Sequence, residues 1–301
     1  RGVVLATGGF AHNEVYRKSI KPAPTPKHSM AVPENTGDGL AAAERVGAEL
    51  RAGSHEMGGL WSPVSVTRKA DGSTGLYPHI LLDRAKPGLI AVNGGGRRFV
   101  NEGVSYHDFV EAMFRADETA PTIPAWLICD AQFVRKYGLG AIHPETRDVT
   151  KYEQCGYLFC AKTIRALSHK IQIDEEILTE TVKRHNTYAE TGSDLEFGKG
   201  DTELNRVNGD PSNKPNPCLA PIVSPPFVAL KVWPGEIACS SGINTDEHAR
   251  VLDVNGQTIN GLYACGNDMA SVMQGHYPGP GTTLGPALVF GYRAAKHAAG
   301  S

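Results

Sequence analysis

The chain has 301 residues, 41% of them hydrophobic and 21% charged, and 30 Lys and Arg against 32 Asp and Glu leave a formal net charge of −2. That composition can build a real core, has room for about two domains, and excludes a disordered chain. The near-balance of charge excludes a general electrostatic footprint for nucleic acid or an anionic membrane, and no apolar run approaches the ~18 residues of a membrane span.

The 34 Gly and 20 Pro are spread without a period, which predicts a loop-rich α/β or α+β chain. The chain opens at Arg1 and runs directly into Gly2-Val3-Val4-Leu5-Ala6, read as a buried strand, with no signal-peptide pattern. A start in mid-strand is expected of the C-terminal part of something longer. Thr7-Gly8-Gly9-Phe10 reads as a turn, and a Pro-rich stretch follows over 22–33. A helix is expected from Asp38, whose carboxylate can cap the free N–H groups, and it should stop by Gly53.

Residues 89–92 and 97–100 read as two strands joined by a tight Gly-rich turn. Helices are expected over about 106–115, 131–137 and 174–190, the last with acids at its start and bases near its end. The polar stretch 198–226 is the predicted linker. Residues 227–233 read as a strand, 251–254 and 262–264 as a hairpin, and 283–299 as a terminal helix. Leu284, Leu288, Gly291, Ala295 and Ala298 form that helix's expected packing face.

The six cysteines form no CxxC pair, and several lie in apolar strand-like runs such as Trp126-Leu127-Ile128-Cys129. With no Asn-x-Ser/Thr site either, a reducing, cytoplasmic setting is expected. No H-E-x-x-H, G-x-S-x-G, P-loop or G-x-G-x-x-G occurs, and no His pair has metal-ligand spacing, so no metal site is expected.

The informative segment runs from Gly261-Leu262-Tyr263-Ala264-Cys265-Gly266-Asn267-Asp268 to His276-Tyr277-Pro278-Gly279-Pro280-Gly281-Thr282-Thr283-Leu284-Gly285-Pro286. It reads as a strand, a Gly turn, and a Gly/Pro loop feeding a helix. Loop glycines allow close backbone approach, and the helix start at 282–284 offers unpaired N–H groups to a group that becomes negative. A tight turn before a well-packed helix explains the same residues equally well.

This segment resembles the C-terminal signature of the FAD-dependent fumarate reductase/succinate dehydrogenase/3-ketosteroid dehydrogenase superfamily, within it the 3-ketosteroid Δ1-dehydrogenase branch. Ala6-Thr7-Gly8-Gly9-Phe10 is similar to that family's A-T-G-G-F, and Thr36-Gly37-Asp38-Gly39 to its T-G-D-G. Gly96-Arg97-Arg98-Phe99-Val100-Asn101-Glu102 is similar to its G-R-R-F-x-N-E, and Tyr263 to Asn267 to its Y-A-x-G-N. The resemblance covers essentially the whole chain.

The resemblance implies a mixed α/β plus α+β fold: an incomplete Rossmann-like FAD domain in two pieces, 1–62 and 236–301, with a cap or catalytic domain, 63–235, inserted. It implies FAD as cofactor, contacted through Ala6, Thr7, Gly8, Gly9, Asp38, Gly266, Asn267, Thr283 and Leu284. The Tyr277 hydroxyl and Gly281 amide would bind a ketone oxygen, and Tyr106 would be the general base. The implied reaction introduces a C=C bond next to a ketone, with a steroid-like small molecule as substrate and an external electron acceptor as partner.

The fumarate reductase branch fits less well. Glu236-Ile237-Ala238-Cys239-Ser240-Ser241-Gly242 holds no His, no Arg follows Glu102 until Arg115, and Tyr277-Pro278 stands where that branch has an Arg-rich pattern. A dianionic substrate would lack its bidentate partners. The dinucleotide fingerprint and its ribose-binding acid are also absent. Three expectations follow: an enzyme whose N-terminal portion is lost or supplied separately, a redox-inactive ketone-binding fragment, or a member acting on a non-steroid enone or dicarboxylate.

Overall fold

The structure is a computed structural model that describes residues 2–24, 27–51, 57–68 and 71–300. The chain is mixed α/β and forms two compact units, Arg1–Trp61 with Gly235–Ser301, and Ser62–Pro234. The strands Gly59–Arg68 and Phe227–Cys239 carry the chain from one unit to the other.

In the first unit, Val3–Leu5 pairs in parallel with Thr258–Ala264, which pairs antiparallel with Arg250–Leu252. Asp253 and Gly256 close that hairpin through a backbone bond of 2.9 Å. A second pairing joins Leu50–Arg51 to Gly242–Ile243, and His28–Ser29 runs parallel to Gly235 and Glu236. The helices are Glu14–Ile20, Asp38–Glu44 and Leu284–Ala298. Phe10, Leu40, Ala43, Cys239, Ile243, Val251 and Ala264 form the core.

In the second unit, Phe227–Cys239 is flanked by Ala125–Asp130 and Leu158–Ala161, both antiparallel, and Ile90–Val92 extends the sheet beyond Ala125–Asp130. Thr74–Pro78 folds back on Gly59–Arg68. The helices Ile164–Ile171 and Glu175–Thr191 contribute Leu167, Ile171, Leu178 and Val182 to a core with Ile90, Val92, Ile128 and Ala229. Acids in the first turn of Glu175–Thr191 and the Asp174 cap match the dipole at its start.

Several expectations need correction. Val3–Leu5 is no buried strand: it has one partner strand, and Val3 is 59% exposed. The helix at Asp38 is capped by Gly37 and not by the Asp38 carboxylate, which accepts from the Thr36 hydroxyl at 3.0 Å. Asp38 is already the first helical residue, too far in for its side chain to cap. That helix ends at Glu44, and Gly53 lies outside the described residues.

Residues 97–100 make a single bridge, Val92 to Arg98, and no second strand. Arg98 and Asn101 turn into buried polar networks, which ends the ladder after the Asn93–Gly96 turn. The stretch 198–226 is no linker. Lys199, Asn205 and Asn216 are buried within it, and Glu203–Asn208 is helical. Its polar side chains bond buried backbone instead of solvent. The terminal helix packs on only part of the expected face: Leu284, Leu288 and Ala295 are exposed, whereas Ala298 joins Ala294, which is fully buried against Ala249 and Tyr263, and Gly291 lies near Cys265.

Candidate active site

The first unit gathers three of the sequence motifs around one residue that the sequence reading passed over. The fully buried Asp268 carboxylate accepts the Thr7 amide at 2.6 Å, the Thr7 hydroxyl at 2.9 and 3.0 Å and the Gly9 amide at 2.8 Å. The Thr7 hydroxyl in turn accepts the Gly39 amide at 3.1 Å, and Gly37 N–H donates to the Gly9 carbonyl at 3.0 Å. The 6–10 turn, the 36–39 turn and the Gly266–Asp268 turn are thus one assembly. Gly9 holds φ +84°, and a Cβ there would lie 2.9 Å from the Asn267 carbonyl, so only glycine fits.

The expected cofactor residues divide by what their groups are doing. The amides of Thr7 and Gly9 are spent on Asp268, so these two shape the turn from behind. Ala6, Thr7 and Asp38 are exposed, while Gly8, Gly266, Asn267 and Thr283 are half-buried. At the start of Leu284–Ala298 no side chain caps the helix, and the Gly281, Thr283 and Leu284 amides have no acceptor among the described residues. Pro286 is tolerated because a first-turn residue has no helical acceptor for its N–H.

Gly281 is exposed with φ +95°, and a Cβ would touch nothing within 4 Å. Its glycine requirement is therefore conformational. Tyr277 is half-buried in the same loop. Beside the Asp268 turn lies a cavity of about 360 Å³ lined in part by Arg51, Ser240, Asn244, Met269, Ser271 and Phe290. The Ser240 hydroxyl on this cavity is buried and has no hydrogen-bond partner among the described residues. A buried hydroxyl without a partner is costly, which marks this wall as one completed by a ligand or water.

Beneath the 6–10 turn, Glu236 is fully buried between Arg17 and Lys21. Lys21 also lies over the Phe10 ring, 4.7 Å from its centroid. The Phe10 amide donates to the Cys239 sulfur at 3.3 Å, and burial pushes that thiol up to about 12. This thiol is inert packing, as are most of the cysteines: only Cys155 is exposed.

Tyr106 lies in the second unit as the first residue of the helix Tyr106–Asp117, 7% exposed, with the Ser105 hydroxyl accepting the Asp108 amide at 3.1 Å. The 96–102 motif that leads to it is held by buried charges. Arg98 pairs with both oxygens of Glu102 at 2.9 Å and both oxygens of Asp194 at 3.0 and 2.8 Å, and Lys199 lies 3.3 Å from Glu102. Burial alone would raise the Glu102 carboxyl, but Arg98, Lys199 and the Ala91 amide hold it down to about 2. Asn101 bonds Asn205 at 2.9 Å and fixes the Gly103 amide at 2.8 Å. The motif is therefore an anchor for the Tyr106 loop, and two of its partners, Lys199 and Asn205, come from the stretch that reads as linker.

A second buried chain runs Asp83, His79, Ser65, Tyr157 at 2.6, 2.8 and 2.7 Å. Ser65 and His79 are sealed from solvent and Tyr157 accepts the Ala141 amide at 2.8 Å, so the chain braces a loop and offers no accessible nucleophile. Among the described residues, no group of side chains could hold a metal ion, and no helix is long and apolar enough to cross a membrane.

The model of the family described as FAD binding domain matches residues 1–284. The chain is 38% identical over 305 residues to a 3-oxosteroid 1-dehydrogenase of Mycobacterium tuberculosis, covering 99% of this chain and 53% of that protein. It is also 38% identical over 300 residues to a 4-oxocyclohex-2-ene-1-carboxylate 5-dehydrogenase of Sinomonas cyclohexanicum, covering 99% and 50%. Among solved structures, the 3-ketosteroid Δ1-dehydrogenase of Sterolibacterium denitrificans in complex with 1,4-androstadiene-3,17-dione superposes with a TM-score of 0.91 at 40% identity, over 100% of this chain and 54% of that one. The chain thus spans about half the length of the relatives it matches. With its family motifs in order, three of them assembled around Asp268, this chain belongs to the FAD binding domain family.

Proposed function

We propose that this chain is part of an FAD-dependent dehydrogenase that introduces a C=C bond next to the ketone of a steroid-like substrate. The observation that carries the reading is the Gly281 amide: exposed, held at φ +95° and without an acceptor among the described residues, at the uncapped start of a helix and four residues after Tyr277. An amide in that state and a phenol beside it in sequence are the two donors that an enolate oxygen needs. The similarity to 3-oxosteroid and 3-ketosteroid dehydrogenases supports the same substrate class.

In this reading, Tyr277 O–H and Gly281 N–H hold the ketone oxygen where negative charge develops, and Tyr106 takes the α-proton. FAD, when bound, supplies the hydride acceptor. The residues present fit such a group. Among the described residues the Thr283 and Leu284 amides and the Ser240 hydroxyl are unspent donors, Ala6, Gly8, Asp38, Gly266 and Asn267 border the same assembly, and Asp268 keeps Thr7 and Gly9 in place.

The test is a visible spectrum after FAD addition, followed by dye reduction driven by a 3-ketosteroid, on the protein that carries this chain. Flavin bands with ketosteroid-dependent reduction are expected. Flavin bands without it would remove the substrate class, and no flavin bands would leave only a ketone-binding piece.

A second reading has one observation in its favour. Arg51, on the cavity that holds Ser240, has no ion-pair partner among the described residues. A free guanidinium suits a cyclic ketone that carries a carboxylate, the substrate type named for the Sinomonas relative. Dye reduction with 4-oxocyclohex-2-ene-1-carboxylate in place of the steroid separates the two.

A further inference from the structure

Arg84 is a buried cation with an unusual set of partners. Its Nε donates to the His79 carbonyl at 2.7 Å and Nη2 to the Ile80 carbonyl at 3.0 Å, while Nη1 donates to the carbonyls of Glu102 at 2.8 Å and Val104 at 3.1 Å. Four backbone carbonyls take its hydrogens, and among the described residues no carboxylate pairs with its side chain. The nearby acids have other partners. Asp83 Oδ2 is on His79 and the Gly140 amide, Glu102 is on Arg98 and Lys199, and Asp108 faces water. His107, on the Tyr106 helix, lies 3.3 Å from Glu111. Burial brings the guanidinium down to about 10 against the pull of Asp83, Glu102, Asp108 and Tyr106, the groups that bear on it.

A buried guanidinium without a contacting anion is expensive, and an apolar residue of similar volume would be cheaper unless the charge is used. Its placement says where. Two of the four carbonyls it grips, those of Glu102 and Val104, belong to the loop that ends at Tyr106. The guanidinium also lies over the Phe109 ring, 5.0 Å from its centroid. Phe109 is three residues after Tyr106 on the same helix, and positions three apart share a face.

We propose that Arg84 is the positioning residue of the base. It fixes the backbone that delivers Tyr106 and supplies the positive charge against which the Tyr106 phenol gives its proton to solvent, ready to take one from substrate. This rests on the reading of Tyr106 as base.

The test uses the full chain labelled with tyrosine carrying carbon-13 at Cζ, with the Tyr106 resonance assigned by its loss in Tyr106→Phe. Arg84→Gln should move the Tyr106 titration midpoint up by about one unit or more, the low end of what losing a nearby opposite charge does. Arg84→Lys, which keeps the charge without the fork, should move it less. An unmoved midpoint in Arg84→Gln overturns the proposal. Should Arg84→Gln not fold, the wild type decides. Burial pushes Tyr157, the buried tyrosine of the same unit with no cation beside it, up to about 12. Tyr106 must therefore titrate before Tyr157, and the reverse order overturns the proposal. The base reading fails separately, if Tyr106→Phe keeps its rate in the FAD-loaded enzyme.

Discussion

The Asp268 carboxylate reaches across 261 positions of sequence to Thr7, taking its amide at 2.6 Å and its hydroxyl at 2.9 and 3.0 Å. One side chain near the C-terminus thereby holds the turn that follows the first strand, and through Thr7 the start of the Asp38–Glu44 helix. Asp268→Asn would set an NH₂ group against donors that need an acceptor. We expect a loss of about 2–3 kcal/mol in urea unfolding, with Thr7→Ser close to wild type because it keeps the hydroxyl. An Asn variant as stable as the parent would remove Asp268 from this role.

Acid should unfold the second unit in two windows. Burial, with Lys199 and Arg98 nearby, pushes His185 down to about 4 from its ordinary 6.5. The unfolded chain then binds the proton first, so stability falls as pH drops from 6.5 toward 4. Glu102, held down to about 2 against an ordinary 4.5, adds a loss as pH falls from 4.5 toward 2. Unfolding free energies measured across this range check both, and His185→Asn should flatten the upper window only.

Glu102→Gln at pH 7 leaves Arg98 and Lys199 buried with one anion fewer. The expected cost is about 3–5 kcal/mol, read from the denaturation midpoint. A small change there would mean that Asp194 alone can balance Arg98, which it meets at 2.8 and 3.0 Å.

Tyr277→Phe removes one of the two proposed oxyanion donors and should lower kcat roughly 10²–10³-fold with flavin binding intact. Gly281→Ala acts through φ +95° and not through space, so a strain on the order of 1–2 kcal/mol is expected, about tenfold in rate. Steady-state kinetics on both variants check this pair, and an unchanged kcat in Tyr277→Phe discards the donor role.

The terminal helix offers a packing test. Ala294 is fully buried beside Ala249 and Tyr263, so Ala294→Leu should cost about 1–3 kcal/mol by overpacking. Leu288 is 75% exposed, and Leu288→Ala should change the thermal stability of the chain by less than about 0.5 kcal/mol.

Much of this protein is legible locally. The helix 131–137 is bounded by local signals, an Asp130 cap and a glycine at its end, and the structure has Ala131–Tyr137 with both. The 174–190 periodicity and the 251–264 hairpin are local in the same sense: neighbouring residues carry the whole signal. The family is legible too, because short motifs in a set order survive without any knowledge of contacts. The polarity of 198–226 misleads, since polar residues in solvent and polar residues on buried backbone look alike in sequence. Asn205 and Asn216 are the second kind, at 1% and 5% exposure.

What the sequence determined by itself was therefore the family and those elements whose signals are local, with Tyr277 and Gly281 as proposed donors. Only the tertiary structure could show that Asp268 organises the motifs, that the 96–102 motif anchors a loop, and that Arg84 grips the approach to Tyr106. Each of these depends on a side chain meeting groups far away in the chain. Such pairings follow from how the backbone is closed in space, and spacing along the sequence carries no record of them.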